Sequence, residues 1–238
     1  MTAPIALVDL GLGNLASVHK ALARAAAEVG LGAPVLTHDP DVIARADHVV
    51  VPGQGAYRDG VAALDAHGSA MRAALLDVIA RGTPYLGICL GLQLLLDESE
   101  EAPGARGLGV FAGTVVRIPD GQLDPSSPGA RRLKVPHMGW NQPRIVPGRA
   151  GKVFSPLLAR AGEAPWFYFV HSYHARPTDA SVVAAVCDYG AVSITAALAR
   201  DAVVATQFHP EKSQRTGLAL LSAFLDRETR APLPGRAA

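Results

Sequence analysis

The chain has 238 residues, 49% of them hydrophobic, with two cysteines and a formal net charge of +1 at pH 7. That length can bury the core of one sizeable domain or of two small ones, and the near-neutral charge gives no reason to expect nucleic acid or an anionic membrane as a partner. Without a Cys-x-x-Cys pair, neither a structural zinc site nor a disulfide scaffold is expected, which favours a reduced, cytoplasmic protein.

Short apolar runs alternate with helical patterns through the first part of the chain. The runs predict strands at residues 5–8, 34–37, 48–51 and 85–88. Apolar residues at helical spacing predict helices at 17–29, 69–80 and 90–96. Strands that are apolar throughout and separated by helices are typical of a parallel sheet covered on both faces. The longest apolar run, at residues 85–96, is too short to span a bilayer.

The second half of the chain is richer in strands. Residues 120–129 contain many Pro, Ser, Gly and Asp, which indicates a loop. The pattern predicts strands at 113–118, 166–170, 181–188, 193–199 and 203–208, and a last helix at 217–227. No repeat or linker divides the chain, so we expect one domain over residues 1–230 and a flexible tail over residues 231–238.

A cysteine stands between the fourth predicted strand and the helix after it. Gly87-x-Cys89-x-Gly91 has the form of a nucleophile elbow with sulfur in place of the serine oxygen. The glycines would relieve crowding at the bend, and a following helix would favour the thiolate through its N-terminal N–H groups. Gln93 would share a helical face with the cysteine and contact a bound substrate. The pentapeptide alone fits a buried, inert cysteine equally well.

A histidine and a glutamate follow the last predicted strand, where a base and its orienting group would be needed. Ligands of an open α/β sheet bind at the carboxyl ends of its strands, so Cys89, His209 and residues 53–55 should converge. In an extended segment His209 and Glu211 would point the same way, so that the carboxylate orients the imidazole. Oxyanion donors would be the N–H of Leu90 and one from Gly53-Gln54-Gly55. In isolation, the histidine also fits a surface loop and the glycines an ordinary turn.

These motifs carry a resemblance to a known enzyme family. With Gly87-x-Cys89-x-Gly91 and His209-Pro210-Glu211, the chain resembles the class I glutamine amidotransferases over almost its whole length. Residues 135–141, 168–173 and 207–213 resemble, more specifically, glutaminase subunits of imidazole glycerol phosphate synthases. The resemblance implies a three-layer α/β sandwich, with a mostly parallel central sheet, helices on both faces and extra antiparallel strands in the C-terminal half.

The resemblance also implies a mechanism. Cys89 would attack the side-chain amide of L-glutamine, His209 would protonate the departing ammonia and then activate water, and Glu211 would orient His209. Glutamine would be contacted by Gly55, Gln93, His171, Ser172 and Tyr173. Neither a metal nor a cofactor is implied.

A protein partner is implied as well. Ammonia would pass directly into a (β/α)8-barrel cyclase subunit, in a heterodimer that acts in histidine biosynthesis. The residues implied at this contact are Asn14, Trp140, Tyr168 and Lys212. Lys212 also fits a solvated lysine beside the site and Trp140 a core residue, although a large aromatic among loop residues suits an interface anchor.

The sequence departs from the family pattern in three places. Leu10 replaces a frequent Tyr, the loop at 120–133 is long for the family, and Gln54 replaces a residue that is often smaller and apolar. If the oxyanion segment must flip to aim its N–H, the lone chain should hydrolyse glutamine slowly and a partner should raise the rate.

Other functions fit parts of the sequence. Gly11-Leu12-Gly13-Asn14-Leu15-Ala16, with Asp39 further on, matches a weak dinucleotide fingerprint. Further alternatives are a metal site, a Cys-His-Glu protease, a catalytically dead binding module, and glutaminases of pyridoxal phosphate, anthranilate or guanylate synthesis. The candidate metal ligands are His137, His171, His174 and His209. The 136–141 segment favours the histidine pathway, and Gln93 favours a small amide over a peptide.

Overall fold

The computed structural model of the protein describes residues 5–124 and 131–226. Its strands are β1 (Ile5–Val8), β2 (Val35–Thr37), β3 (His48–Gly53), β4 (Tyr85–Cys89), β5 (Leu96–Ser99), β6 (Phe111–Arg117), β7 (His137–Asn141), β8 (Arg144–Ile145), β9 (Phe167–His171), β10 (Tyr173–Pro177), β11 (Val183–Tyr189), β12 (Val192–Arg200) and β13 (Val203–Thr206). Its helices are α1 (Leu15–Glu28), α2 (Pro40–Ala44), α3 (Tyr57–Ala80), α4 (Leu90–Gln93), α5 (Arg149–Ala159) and α6 (Gln214–Leu225). Two 3₁₀ turns cover Ala180–Val182 and Pro210–Lys212.

A central sheet of eight strands has the order β2-β1-β3-β4-β13-β12-β11-β8. The five strands from β2 to β13 are parallel, and β12, β11 and β8 continue the sheet in antiparallel pairings. A three-stranded sheet, β10-β6-β5, and a two-stranded sheet, β7-β9, lie outside it. The expected α/β fold with added antiparallel strands is confirmed.

The central sheet is covered on both faces. On one face, α1, α5 and α6 contribute Val18, Leu22, Phe154 and Leu220 to a buried apolar cluster. On the other, α2, α3 and the three-stranded sheet contribute a second cluster. Strands β1, β3, β4 and β13 are buried along their whole length, as expected for parallel strands between two layers.

Local signals fix where some helices begin. The side chain of Asn14 accepts a hydrogen bond from the backbone N–H of Ser17 and so caps α1. Asp39 caps α2 in the same way, and Pro40 occupies the first helical turn, where its missing N–H costs nothing. Asp39 is therefore engaged in helix capping.

The predicted helix at 90–96 is wrong in its length. Helix α4 ends at Gln93, and Leu96 already begins strand β5. Leu90, Leu92, Leu94, Leu95 and Leu96 are all buried. A run that is apolar on every side has no periodicity to distinguish helix from strand, which explains the error.

Other elements differ from the predictions in extent. Helix α3 begins at Tyr57, well before residue 69, because it continues through Gly68 and Ser69 despite their positive φ angles of 75° and 64°. Helix α5 contains Pro156 and lacked a clear signal. Strands β5, β7, β8 and β10 and helix α2 were not predicted.

Two predicted segments lie partly or wholly outside the described residues. The long loop at 120–133 is described only at its stem, where Asp124 N–H donates to Arg131 O at 2.9 Å and Leu133 N–H to Gln122 O at 2.8 Å. The tail at 231–238 lies outside the described part, so the domain limits stay a prediction. Within the described ranges, no helix combines the length and apolarity that a bilayer crossing requires.

Candidate active site

Cys89 occupies a strained bend at the end of β4. Its φ and ψ angles are 54° and −102°, a left-handed conformation that non-glycine residues rarely adopt. A Cβ on Gly87 would lie 2.7 Å from the carbonyl oxygen of Gly91, and a Cβ on Gly91 would overlap the carbonyl oxygen of Val51. Both glycines are therefore required for the bend that carries the sulfur to the carboxyl edge of the sheet.

The bend does not depend on a long helix behind it. Because α4 has only four residues, the expected support of the thiolate by a helix dipole is weaker than the sequence indicated. The groups that face the sulfur must therefore determine its charge state.

His209 and Glu211 form a buried pair beside this bend. Nδ1 of His209 lies 2.8 Å from Oε1 of Glu211, and the two side chains are 2% and 3% exposed. The predicted extended geometry is wrong, because Pro210–Lys212 is a 3₁₀ turn. The turn nevertheless returns the carboxylate to the imidazole. Ser213 fixes the same turn by donating to the carbonyl oxygen of His209 at 2.6 Å.

Cys89 and Glu211 together raise the pKa of the buried imidazole. Burial lowers the pKa of His209, but the negative charge of the Cys89 thiolate and the Glu211 carboxylate raise that pKa to about 10. Nε2 of His209 has no regularly aligned hydrogen-bond partner among the described residues, so we ascribe the effect of the sulfur to charge rather than to a formed hydrogen bond. The imidazole of His209 is therefore protonated at neutral pH.

A cavity of about 380 Å³ opens in front of the sulfur. All five residues predicted to contact the substrate line this cavity together with Cys89. They are Gly55, Gln93, His171, Ser172 and Tyr173. Glu101 and Lys212 add a carboxylate and an ammonium group to its wall. Such a cavity suits a small zwitterion better than a peptide chain.

Glu101 was missed in the sequence, where it is one of four acids among the five residues 97–101. Its Oε2 accepts the N–H of Tyr57 at 2.8 Å, at the start of α3. That contact holds the carboxylate at the cavity wall. No signal in the sequence separates it from its neighbours Asp97, Glu98 and Glu100.

The segment predicted to supply an oxyanion donor lies next to the cysteine. Gly53 pairs with Cys89 in the β3–β4 register, and a Cβ on Gly53 would lie 3.0 Å from Cβ of Leu90. Gln54 and Leu90 line the cavity, whereas Gly53 lines a small void of about 10 Å³ on its far side, which His209 and Glu211 also line. A Cβ on Gly13 would lie 3.0 Å from the backbone nitrogen of Gln54, so the loop before α1 packs directly against this segment.

A second glutamine, Gln207, contacts the sulfur and was not singled out in the sequence. It is fully buried, and its Nε2 donates to Sγ of Cys89 at 3.5 Å. Gln93, expected to contact substrate, also donates inward from its Nε2, to Tyr173 O at 3.0 Å and to Gln207 Oε1 at 3.3 Å. Gln207 lies two residues before His209, a spacing typical of side chains on one side of a strand.

Two of the candidate metal-ligating histidines bond to each other. Nδ1 of His171 donates to Tyr173 O at 2.9 Å, so its Nε2 is free to accept from Nδ1 of His137 at 3.1 Å. Burial lowers the pKa of His137 to about 4 and that of His171 well below its usual value, so both are neutral at pH 7. Across the described ranges, no three His, Cys, Asp or Glu side chains are grouped to hold a metal ion.

The four residues predicted at a partner contact divide into two groups. Trp140 and Tyr168 face each other across β7 and β9, with ring centroids 6.0 Å apart, and Trp140 is 44% exposed. Met138 and Trp166, which were not predicted, are 61% and 51% exposed. Asn14 is exposed but caps α1, and Lys212 lines the cavity. The structure thus brings Trp140 and Tyr168 into one aromatic patch.

Comparisons with known proteins place the chain in a family. The family model for class-I glutamine amidotransferases matches residues 10–227. The chain is 46% identical over 222 residues to imidazole glycerol phosphate synthase subunit HisH of Dechloromonas aromatica, covering 93% of this chain and 95% of that protein. It is 48% identical over 222 residues to the HisH subunit of Syntrophotalea carbinolica, covering 93% and 99%.

Solved structures agree on the fold. A crystal structure of a glutamine amidotransferase superimposes with a TM-score of 0.61 at 17% identity, covering 91% of this chain and 98% of that one. The PurLQS structure from Thermotoga maritima gives a TM-score of 0.62 at 17% identity, covering 94% and 98%. The chain therefore belongs to the class I glutamine amidotransferases, a family of enzymes, and within it to the HisH subunits of imidazole glycerol phosphate synthase.

Proposed function

We propose that the chain hydrolyses L-glutamine at Cys89 and delivers the ammonia to a cyclase subunit in histidine biosynthesis, in the cytoplasm. The observation that carries the proposal is a cysteine at a strained bend, facing a buried His209–Glu211 pair on one side and a 380 Å³ cavity on the other. Covalent catalysis by a thiolate requires this combination of nucleophile, oriented base and enclosed substrate site.

The reaction begins with attack of the Cys89 thiolate on the amide carbon of glutamine. Backbone N–H groups of Leu90 and of the 53–55 segment stabilise the tetrahedral oxyanion. When the carbon–nitrogen bond breaks, the His209 imidazolium gives its proton to the departing nitrogen, which releases ammonia and leaves a thioester. The raised pKa of His209 supports this first role, because the imidazole is protonated when the cycle begins.

Water completes the cycle. Neutral His209 takes a proton from water, the resulting hydroxide attacks the thioester carbon, and the sulfur–carbon bond breaks to release glutamate and restore the thiolate. Glu211 keeps the imidazole in one orientation through both steps. Glu101 suits the α-ammonium of glutamine, because its carboxylate lies at the wall of the same cavity.

The partner is a (β/α)8-barrel cyclase, and the aromatic patch of Trp140 and Tyr168 is its docking surface. Large, half-exposed aromatic side chains commonly anchor interfaces. Lys212 and Asn14 would flank the contact. Ammonia must pass between the subunits without reaching water, where it would be protonated and lose its nucleophilicity.

The test is co-purification with a candidate barrel cyclase, followed by assays of glutamate release and ring closure. We expect glutamine-dependent ring closure by the complex and slow glutamine hydrolysis by the lone chain. Failure of the complex to use glutamine, while the cyclase uses ammonium salts, would exclude the proposal. Rapid hydrolysis by the lone chain would contradict only the gating of the oxyanion segment.

A further inference from the structure

The roles proposed for Cys89, His209 and Glu211 do not explain why Gln207 is buried against the sulfur. Its backbone N–H donates to Ala196 O at 2.9 Å, which anchors it just after β13. Its side chain is fully buried and lines neither the substrate cavity nor the small void behind it. It therefore contacts the sulfur from within the protein rather than from the substrate side.

The direction of the Gln207 amide is fixed by a neighbour. Gln93 donates to Oε1 of Gln207 at 3.3 Å, which leaves the Gln207 amide nitrogen for Sγ of Cys89 at 3.5 Å. Gln93 is held in turn by Tyr173 O at 3.0 Å. A chain of oriented bonds thus runs from the cavity wall to the sulfur and ends with an N–H directed at it.

We propose that Gln207 is a positioning residue that holds the Cys89 sulfur in line with His209 and stabilises its thiolate form. A hydrogen bond to an ionised acceptor is worth more than one to a neutral acceptor, so the Gln207 N–H favours thiolate over thiol. The sulfur is charged before attack and again when water displaces it from the thioester. Gln207 acts at both points without contacting the substrate.

Other titratable groups also face the sulfur, and an experiment must hold them constant. His209 and Glu211 approach it from the end of β13, and Glu101, His171, Tyr173 and Lys212 line the cavity before it. None of them is altered by replacing Gln207 with Met, which has a similar length but no donor. The Met variant therefore isolates the contribution of the amide.

The experiment measures the alkylation rate of Cys89 by iodoacetamide from pH 5 to pH 10. All variants of the full chain carry Cys187→Ala, so that the label reports a single cysteine. Gln207→Met should move the midpoint of the rate–pH profile up by about one pH unit, so that the rate falls about tenfold at pH values below the midpoint of the parent. The rates should converge at high pH, where the thiol is ionised in both proteins. Gln142→Met, which removes an amide remote from the sulfur, should leave the profile unchanged.

Two results would overturn the inference: a profile for Gln207→Met that coincides with the parent, or an equal fall at every pH, which would indicate altered access. If Gln207→Met does not fold, Gln207→Asn decides by the same measurement, because its shorter side chain withdraws the amide from the sulfur. The inference rests on the proposed role of Cys89, but alkylation reports the sulfur directly. If Cys89→Ala still hydrolysed glutamine, that role would be refuted. The alkylation profiles of the parent and of Gln207→Met, which both keep Cys89, would not be affected by that result.

Discussion

The two cysteines of this chain lie in the two halves of one sheet and have opposite environments. Cys89 ends a parallel strand, at a bend with φ of 54°, and faces an imidazole and an amide donor. Cys187 lies within antiparallel strand β11, where it is fully buried and burial raises its pKa to about 12. The parallel half ends its strands at a cavity, whereas the antiparallel half only extends the core. Position at a strand end, not residue type, makes a thiol available for chemistry.

Exchange of each cysteine for alanine gives the largest expected difference. Cys89→Ala should lower glutamine-dependent synthesis by about 10³-fold or more, because the nucleophile is lost, while synthesis from ammonium salts by the cyclase survives. Cys187→Ala should leave both rates unchanged and cost about 1 kcal/mol of unfolding free energy through a small cavity. Steady-state rates and urea unfolding of both variants measure these effects. Equal losses of activity in Cys89→Ala and Cys187→Ala would contradict the view that the two cysteines differ in function.

The bend at Cys89 provides the next test. Gly91→Ala would drive a methyl group into the carbonyl of Val51, so we expect about 3 kcal/mol of destabilisation and a fall of about 100-fold in glutaminase rate. Gly32→Ala is the matched control, because no atom lies within 4 Å of the added carbon. Its unfolding free energy should change by less than about 0.5 kcal/mol. A tolerated Gly91→Ala would show that the bend is not needed.

The pH dependence of the rate tests the charge on His209, the imidazole beside Cys89. The pKa of His209 is raised to about 10. The protonated imidazole therefore stabilises the fold fully at pH values below the histidine pKa of the unfolded chain, and this stabilisation is lost as pH rises through about 10. Glu211→Gln removes one cause of that raised pKa. The alkaline limb of kcat/KM should therefore move down by about one pH unit, since that limb reports the free enzyme.

The control for this shift is Asp188→Asn, which removes a carboxylate next to Cys187. That carboxylate pairs with Arg144 at 2.7 Å, on a side of the molecule that does not line the cavity. Its alkaline limb should coincide with that of the wild type. If the alkaline limb of Glu211→Gln also coincided with that of the wild type, Glu211 would not be a cause of the raised pKa of His209.

The smallest effect concerns the surface beside the cavity. Trp140→Ala should weaken binding of the proposed cyclase subunit by about 2 kcal/mol, because the proposed aromatic anchor is removed. Leu36→Ala is the control, since Leu36 is 46% exposed on strand β2, the edge of the sheet farthest from β8. Its affinity should stay within about 0.5 kcal/mol of the wild type. Titration calorimetry measures the affinity of both variants. Similar losses of affinity would show that Trp140 does not lie at the interface.

The sequence predicts the strand ends better than the connections between them. Continuous apolar runs and flanking glycines place β1, β3, β4 and β13, because parallel strands are buried on both faces. The end of α4 is not predictable from its leucines, which are buried on every side. The 3₁₀ turn after His209 also carries no signal that separates it from an extended segment.

Site residues follow the same division. Cys89, His209 and Glu211 belong to compact motifs at strand ends, and the structure brings them together. Gln207 and Glu101 are positioned by tertiary contacts, with Cys89 and with Tyr57 respectively, and both of those partners are remote in the sequence. Residue type alone cannot predict such contacts, because a glutamine after a strand or an acid in an acidic run has many equivalent neighbours.

The most direct test of Cys89 as the nucleophile is labelling with an electrophilic glutamine analogue, followed by peptide mass spectrometry of the complex with the proposed cyclase subunit. We predict one equivalent of label on Cys89, blocked by excess glutamine, and none on Cys187. Label on Cys187, or none on Cys89 while glutamine hydrolysis continues, would contradict the claim that Cys89 is the nucleophile.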